Sequence, residues 1–294
     1  MTPAHLFKSD ACHEKYLSIY HRILRRWPVQ PDLRTLHTAS GLTHYLSIDK
    51  SGGPPLIMLH GGHSSSVIWE DMVPYLADYY TIYCLDIMGD YGKSQPASKI
   101  QNISQLTKWV YEFLDKIGIG KAFFVGFSYG GWITVNFALC HSEKVERMAL
   151  LSPAATFVPL KWSFLGRAIW SVIRPTPEVI SDFYYYASSQ SRHDDLEYRQ
   201  KLDDLVTLVT AGRKMKGHFV KPSVFSDRQL GSISIPTTVL VGDEEVIYDP
   251  QRTLERARAQ LQECQIHLVP KASHDIVFSA PITASEKIHD FFSS

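Results

Sequence analysis

Cysteine is scarce in this chain, and no sign of charge prevails in it. Four cysteines, Cys12, Cys84, Cys140 and Cys264, are scattered over 294 residues without a C-x-x-C pair. A chain of this length needs no disulfide framework, so the expected setting is a reducing compartment, the cytoplasm. Cys84 and Cys140 stand in apolar runs, where cysteine behaves as a small hydrophobe. Thirty basic residues balance thirty acidic ones, which gives no electrostatic reason to expect nucleic acid or an anionic membrane as partner. No stretch approaches the roughly 18 apolar residues of a membrane span. The beginning of the chain carries His5, Lys8, Asp10, His13, Glu14 and Lys15, so no uninterrupted apolar segment reads as a signal peptide. Two nearly complete motifs fail at one position each. His13-Glu14 would open the zinc motif H-E-x-x-H, but position 17 is Leu17, so no metal site follows. Gly92-Lys93-Ser94 would close a phosphate-binding Walker loop, but that pattern needs a glycine where Ile87 stands.

Apolar material is plentiful, at 45% hydrophobic against 20% charged residues, enough for a sizeable globular core. Tyr16, Ile19, Tyr20, Ile23 and Leu24 recur at helical spacing, which predicts a helix from about Lys8 to Trp27, stopped by Pro28. Strand-like runs near Arg34–Thr38 and Thr43–Ile48 predict a hairpin across Ala39-Ser40-Gly41. A rhythm of short apolar strands and helices follows. Leu56–Leu59, Thr81–Leu85, Ala122–Val125 and Met148–Leu151 read as strands, with helices over about Ser104–Ile117 and Gly131–Cys140. The rhythm breaks between about Ala154 and Ser232, a stretch rich in aromatics that include Phe157, Trp162, Phe164, Trp170 and Phe183 to Tyr186. It resumes with strands at Thr237–Val241 and Gln265–Val269 and helices at Pro250–Leu261 and Pro281–Phe292. This alternation predicts an α/β fold, a mainly parallel central sheet with helices on both faces. The expected organisation is an N-terminal helix over 1–30, a core built from 31–153 and 233–294, and a helical cap over 154–232.

The chemistry centres on Val125-Gly126-Phe127-Ser128-Tyr129-Gly130-Gly131, a G-x-S-x-G with a strand before it and a helix after it. The turn is so tight that a side chain at 126 or 130 would clash, and it exposes the Ser128 hydroxyl beside a helix N-terminus. A serine hydroxyl is a weak nucleophile and needs a base. Among thirteen histidines, His274 stands out, because it follows the last strand and precedes the closing helix. His267 within the strand and His289 within that helix read as structural. The base needs a carboxylate to orient it. The loop Gly242-Asp243-Glu244-Glu245-Val246-Ile247-Tyr248-Asp249-Pro250 supplies several in the required order of serine, acid, histidine. Asp249, before Pro250, reads as a helix N-cap, and spacing alone does not decide between Asp243 and Glu245. Two backbone amides, of Tyr129 and of Gly62 in the His60-Gly61-Gly62-His63 loop, are the expected oxyanion donors. His60 reads as a brace for that loop.

With these residues in place, the chain resembles the α/β-hydrolase superfamily over nearly its full length. In that superfamily the acid stands third after a glycine at the end of the penultimate core strand. The resemblance therefore implies Glu245 as the acid, with Asp243 second. The chain is also similar to bacterial carboxylesterases whose triad acid is glutamate, in Arg26-Trp27-Pro28, Asp86-Ile87-Met88-Gly89-Asp90 and Glu245-Val246-Ile247-Tyr248. It departs from common members by having Lys271-Ala272-Ser273-His274 in place of G-x-G-H. Gly62 is followed by His63, so neither the H-G-G-G nor the H-G-G-P-G of two other groups is present. Gly89-Asp90-Tyr91-Gly92-Lys93-Ser94 falls where the superfamily has its D-x-x-G-x-G-x-S turn.

The expected activity is hydrolysis of a small-molecule ester or thioester through an acyl-enzyme, with no metal or organic cofactor implied. The same three groups could serve acyl transfer, macrocyclisation or carbon–carbon cleavage. A non-catalytic binding protein would not need them. Aromatics in 154–232, Tyr184-Tyr185-Tyr186 included, read as pocket wall or cap core. They suggest an apolar or aromatic substrate group. Neither nucleic acid nor a membrane is an expected partner.

Overall fold

The computed structural model describes residues 7, 9–212 and 219–294; His5 and Lys8 lie outside them, as do residues 213–218 of the expected cap. Helix α1 spans Asp10–Arg25, and the Ser9 side chain caps it by accepting the Cys12 amide. Tyr16, Ile19, Tyr20, Ile23 and Leu24 are all buried. Each aliphatic member of that stripe contributes about 2 kcal/mol by burial. The helix ends earlier than its apolar spacing predicts. The Arg26 and Trp27 amides bond back to Ile23 and Leu24 at 3.2 and 3.0 Å, a tightened last turn that suits the restricted backbone ahead of Pro28.

The hairpin β1 (Asp32–Thr38) and β2 (Gly41–Ile48) is followed by β3 (Pro55–Leu59), a short α2 (Val73–Leu76), β4 (Thr81–Leu85) and a two-residue β5 (Gln95–Pro96). Then come α3 (Ile103–Lys116), β6 (Ala122–Phe127), α4 (Tyr129–Cys140) and β7 (Val145–Leu151). Helices α5 (Trp162–Ile173), α6 (Pro177–Ala187), α7 (Leu196–Gly212) and α8 (Asp227–Gly231) separate β7 from β8 (Thr237–Gly242). The chain closes with α9 (Pro250–Gln260), β9 (Cys264–Val269), α10 (Ile276–Ser279) and α11 (Pro281–Ser293). A capping box between Asn102 and Gln105 starts α3, a local signal that its polar first turn already carried.

The strands form one mixed sheet in the order β1-β2-β4-β3-β6-β7-β8-β9, with β5 beside β2. The hairpin and the β2–β4 pair are antiparallel, and the pairs from β4 through β9 are parallel. Side chains alternate across the sheet with period two. Leu56 and Met58 join a core shared with α1, α10 and α11, whereas Ile57 and Leu59 join one shared with α3, α4 and α9. Both faces are therefore buried, which is why the parallel strands read as continuous apolar runs. Order reverses around β3: β4 lies on one side of it and β6 on the other. Loops after parallel strands at such a point diverge and leave a crevice. Among the described residues, no helix is long and apolar enough to cross a membrane.

Candidate active site

Ser128 follows β6 and adopts φ 51° and ψ −111°, a conformation that non-glycine residues rarely hold. Its neighbours explain why it stays there. A Cβ on Gly126 would lie 2.5 Å from Thr134 Oγ1, and one on Gly130 would lie 2.0 Å from the Leu59 carbonyl oxygen. The Ser128 amide donates to the Leu151 carbonyl at 2.9 Å, and its carbonyl accepts from Ala154 at 3.1 Å. The turn is thus pinned to the end of β7.

His274, in the loop after β9, spans the gap between two other loops. Its Nε2 lies 2.8 Å from Ser128 Oγ, and its Nδ1 lies 2.8 Å from Glu245 Oε2. Glu245 is buried, and its second oxygen accepts the Ile247 amide at 2.9 Å. Asp243 is exposed, while its amide holds the Val269 carbonyl at 3.0 Å. Of the two acids that spacing left open, Glu245 is the one brought to the imidazole. Asp249 caps α9 by accepting the Arg252 amide at 3.0 Å. The Tyr248 ring stands edge-on to His274 at 6.3 Å between centroids. Burial, and then the charge of Glu245, raises the Tyr248 hydroxyl well above its ordinary pKa.

Gly62 and Tyr129 border the same cavity as Ser128 and His274. Tyr129 is the first residue of α4, so its amide is among those a helix leaves without an internal acceptor. The Gly130 amide donates to the His60 carbonyl at 3.0 Å, which ties the Gly62 loop to the turn. His60 is buried between Gly61 O at 2.7 Å from its Nδ1 and the Ile87 amide at 2.9 Å from its Nε2. A ring in that position braces the loop, and burial lowers its pKa against the opposing pull of Asp86. Past Gly62, the His63 amide is held by both oxygens of Asp90, at 2.9 and 3.0 Å.

The turn that resembles a Walker loop wraps the buried carboxylate of Asp86. That group accepts from the Ser66 amide and hydroxyl and the Lys93 amide at 2.7–2.8 Å, and lies 2.9 Å from His44 Nδ1. Burial opposes its charge, yet these partners hold its pKa below the usual range. The Lys93 amide and the Ser94 hydroxyl of that turn are thus both held by Asp86, the hydroxyl on its carbonyl at 2.6 Å.

The cavity measures about 290 Å³. Phe127, Leu160, Phe164, Phe183, Leu205 and Phe278 make much of its wall, while, among the described residues, Lys221 and Asp275 are its ionisable members besides histidines and tyrosines. Of the three consecutive tyrosines, Tyr184 faces this space. Tyr185 bonds Asp203 at 2.7 Å, and the Tyr186 ring lies under Arg167. A larger and more open depression of about 460 Å³, edged by Asp71, Arg192, Glu197 and Lys201, does not include Ser128 or His274.

Sequence reasoning did not find a second polar cluster behind His274. Asp275 is buried and accepts the Tyr198 hydroxyl and, at 3.1 Å, the Ser189 amide. Ser189 Oγ donates to Glu244 Oε2 at 2.9 Å and lies 3.0 Å from the Lys271 carbonyl. Burial pushes the Asp275 carboxyl up to about 6, its hydrogen bonds opposing. Its adjacency to His274 was the one available signal; Ser189 and Tyr198 carry none.

Comparison with known proteins follows the same lines. The sequence profile of the α/β hydrolase fold family matches residues 54–281. An uncharacterized carboxylesterase, nap, of Bacillus subtilis (strain 168) is 29% identical over 95% of this chain and 93% of its own length. Carboxylesterase YbfK of the same organism is 27% identical over 94% of this chain and 93% of its own. The crystal structure of naproxen esterase from Bacillus subtilis superposes with a TM-score of 0.87 at 28% identity, covering 97% of this chain and 99% of that one.

Proposed function

The chain belongs to the α/β hydrolase fold family, and from that premise we propose that it hydrolyses carboxylic esters through an acyl-enzyme on Ser128. Relatives named as carboxylesterases that match it almost end to end support ester chemistry on a small molecule. The observation that carries the mechanism is the single imidazole of His274 within 2.8 Å of both Ser128 Oγ and Glu245 Oε2.

With Nδ1–H donated to Glu245, Nε2 is free to accept the serine proton. Ser128 Oγ attacks the ester carbonyl, and the carbonyl electron pair moves onto oxygen. The amides of Tyr129 and Gly62 hold that oxyanion, each worth about 3 kcal/mol in the transition state. As the tetrahedral intermediate collapses, the C–O bond to the alcohol breaks and His274 returns its proton to the departing oxygen. Water, deprotonated by His274, then attacks the acyl carbonyl and frees Ser128 with a carboxylic acid as product. A thioester follows the same course with a thiol leaving.

The apolar wall of the cavity supports an apolar or aromatic acyl or alcohol group. Residues 154–232 serve as the cap that selects it, in keeping with how such folds vary their substrates. The four cysteines are free thiols, which supports the cytoplasm as the working compartment. A fluorophosphonate probe tests the reading on wild type and Ser128→Ala, beside a panel of esters graded in acyl and alcohol size. Labelling and turnover should both vanish in the variant. Labelling that persists in Ser128→Ala removes the nucleophile. A probe-reactive wild type that turns over no ester or thioester removes hydrolysis.

A further inference from the structure

Helix α5 carries Ser163, Arg167 and Ser171 four residues apart along one side and apolar residues around the rest of its circumference, and apolar helix surface is ordinarily buried. Its inner face is partly covered: Phe164, Leu165 and Ala168 are half-buried and border the cavity of Ser128. Its outer face is not. Trp162 is 87% exposed, Ile173 69%, Val172 64%, Ile169 59% and Trp170 50%. Trp162, Ile169 and Ile173 are seven and four residues apart, so they form one stripe along the helix, with Trp170 and Val172 flanking it. Scattered exposed apolar residues are normal, but a contiguous patch signals a partner surface.

The charge around the patch identifies its partner. Lys161 precedes α5, Arg167 lies within it and Arg174 follows it, and no acidic residue occurs between Ala154 and Pro177. The nearest acids along the sequence after it, Glu178 and Asp182, belong to α6. The chain-wide charge of zero averages over this cationic segment. Arg167 is turned toward α6, over the Tyr186 ring and beside Asp182; a symmetric contact between two copies would set the same patch against itself, bringing Lys161 and Arg174 of both copies together with nothing of opposite sign on α5 to offset them. An anionic lipid surface offers apolar depth for the tryptophans and isoleucines and negative headgroups for the flanking cations.

We infer that α5 is an interfacial helix that docks the protein on anionic bilayers, with Trp162, Ile169 and Ile173 entering the headgroup–acyl boundary. Docking there sets the outer face of α5 against the membrane from which apolar esters partition, with the cavity bordered by its inner face about one helix diameter away.

The test uses the full chain with vesicles of phosphatidylcholine, alone or mixed with phosphatidylglycerol, read by co-sedimentation and by tryptophan emission. The wild type should co-sediment with the mixed vesicles, with blue-shifted emission, and bind phosphatidylcholine far less. Ile169→Ser/Ile173→Ser should lower partitioning roughly tenfold or more, and Lys161→Gln/Arg174→Gln roughly fivefold per cation removed, erasing the preference between lipids. None of these residues borders the cavity, so hydrolysis of a short soluble ester should be unchanged, which reports an intact fold. Binding is read without catalysis, so its failure is distinct from failure of the esterase reading. A wild type that stays in the supernatant with both vesicles overturns the inference. So does equal binding by the isoleucine variant, or a wild-type dimer that this variant dissociates.

Discussion

Glu245→Gln keeps the shape of a buried side chain and removes its charge, so it isolates what the carboxylate does for His274. Oε1 accepts the Ile247 amide at 2.9 Å and Oε2 meets Nδ1 at 2.8 Å. A glutamine that keeps its oxygen on Ile247 must turn its NH₂ toward Nδ1, which then has to accept. That places the ring proton on Nε2, facing Ser128 Oγ, where the ring cannot take the serine proton. The imidazolium formed during attack also loses its counter-charge. For unit charges about 4 Å apart at an effective dielectric near 20 this is about 4 kcal/mol, or about 10³ in rate. With the tautomer cost added, kcat should fall by about 10³ to 10⁴. KM should change little, because Glu245 does not border the cavity. Stability should stay within about 1 kcal/mol, since the bond to Ile247 is kept. Saturation kinetics on a chromogenic ester, beside thermal unfolding, measure all three. Turnover within tenfold of wild type would refute the reasoning, as would the same collapse in Asp243→Asn with Glu245→Gln active.

Two further substitutions test other parts of the architecture. Gly130→Ala drives a Cβ to 2.0 Å from the Leu59 carbonyl oxygen. Because backbone rather than a pliable side chain is struck, a loss of about 3 kcal/mol or more is expected in denaturant unfolding; a midpoint unchanged from wild type would contradict it. Asp275→Asn tests the buried acid behind His274, whose pKa is raised from 3.8 to about 6. The folded protein holds this proton more tightly than the unfolded chain does. Its contribution to stability is therefore fully present below the unfolded pKa and is lost as pH rises from about 4 through about 6. The asparagine variant has no such titration, so the stability of wild type relative to the variant should grow as pH falls through that window. A gap that is flat with pH, measured by denaturant unfolding at about pH 4.5 and about pH 7.5, would remove the assignment.

Asp275 also illustrates what was not legible beforehand. Its carboxylate joins the His274 loop to Ser189 and Tyr198, residues about 80 positions earlier in a different part of the chain. Ser189 carries the connection on to Glu244, beside the acid that meets His274. None of these side chains stands in a recurring pattern; each matters through what lies opposite it. Asp86 and Asp90 stood in a segment that the resemblance marked, but only the structure shows Asp90 holding the His63 amide next to Gly62.

Local and periodic features were readable from the chain because their physics is local. Short continuous apolar runs marked the parallel strands, and period-3.6 apolar spacing marked α1. The glycines at 126 and 130 announced a turn too tight for side chains, and chain order ranked His274 above twelve other histidines. Between Asp243 and Glu245, separated by one residue, spacing had no power. The resemblance favoured Glu245, and the tertiary structure brings that carboxylate to His274, because the path after β8 buries Glu245 and leaves Asp243 in solvent. Exposure was likewise beyond the sequence. The aromatics of 154–232 read alike as pocket wall or cap core; Phe164 does border the cavity, but Trp162, two positions earlier, faces solvent. A helix whose apolar surface wraps most of the way round does not encode which part of it is covered; only the elements packed against it decide that.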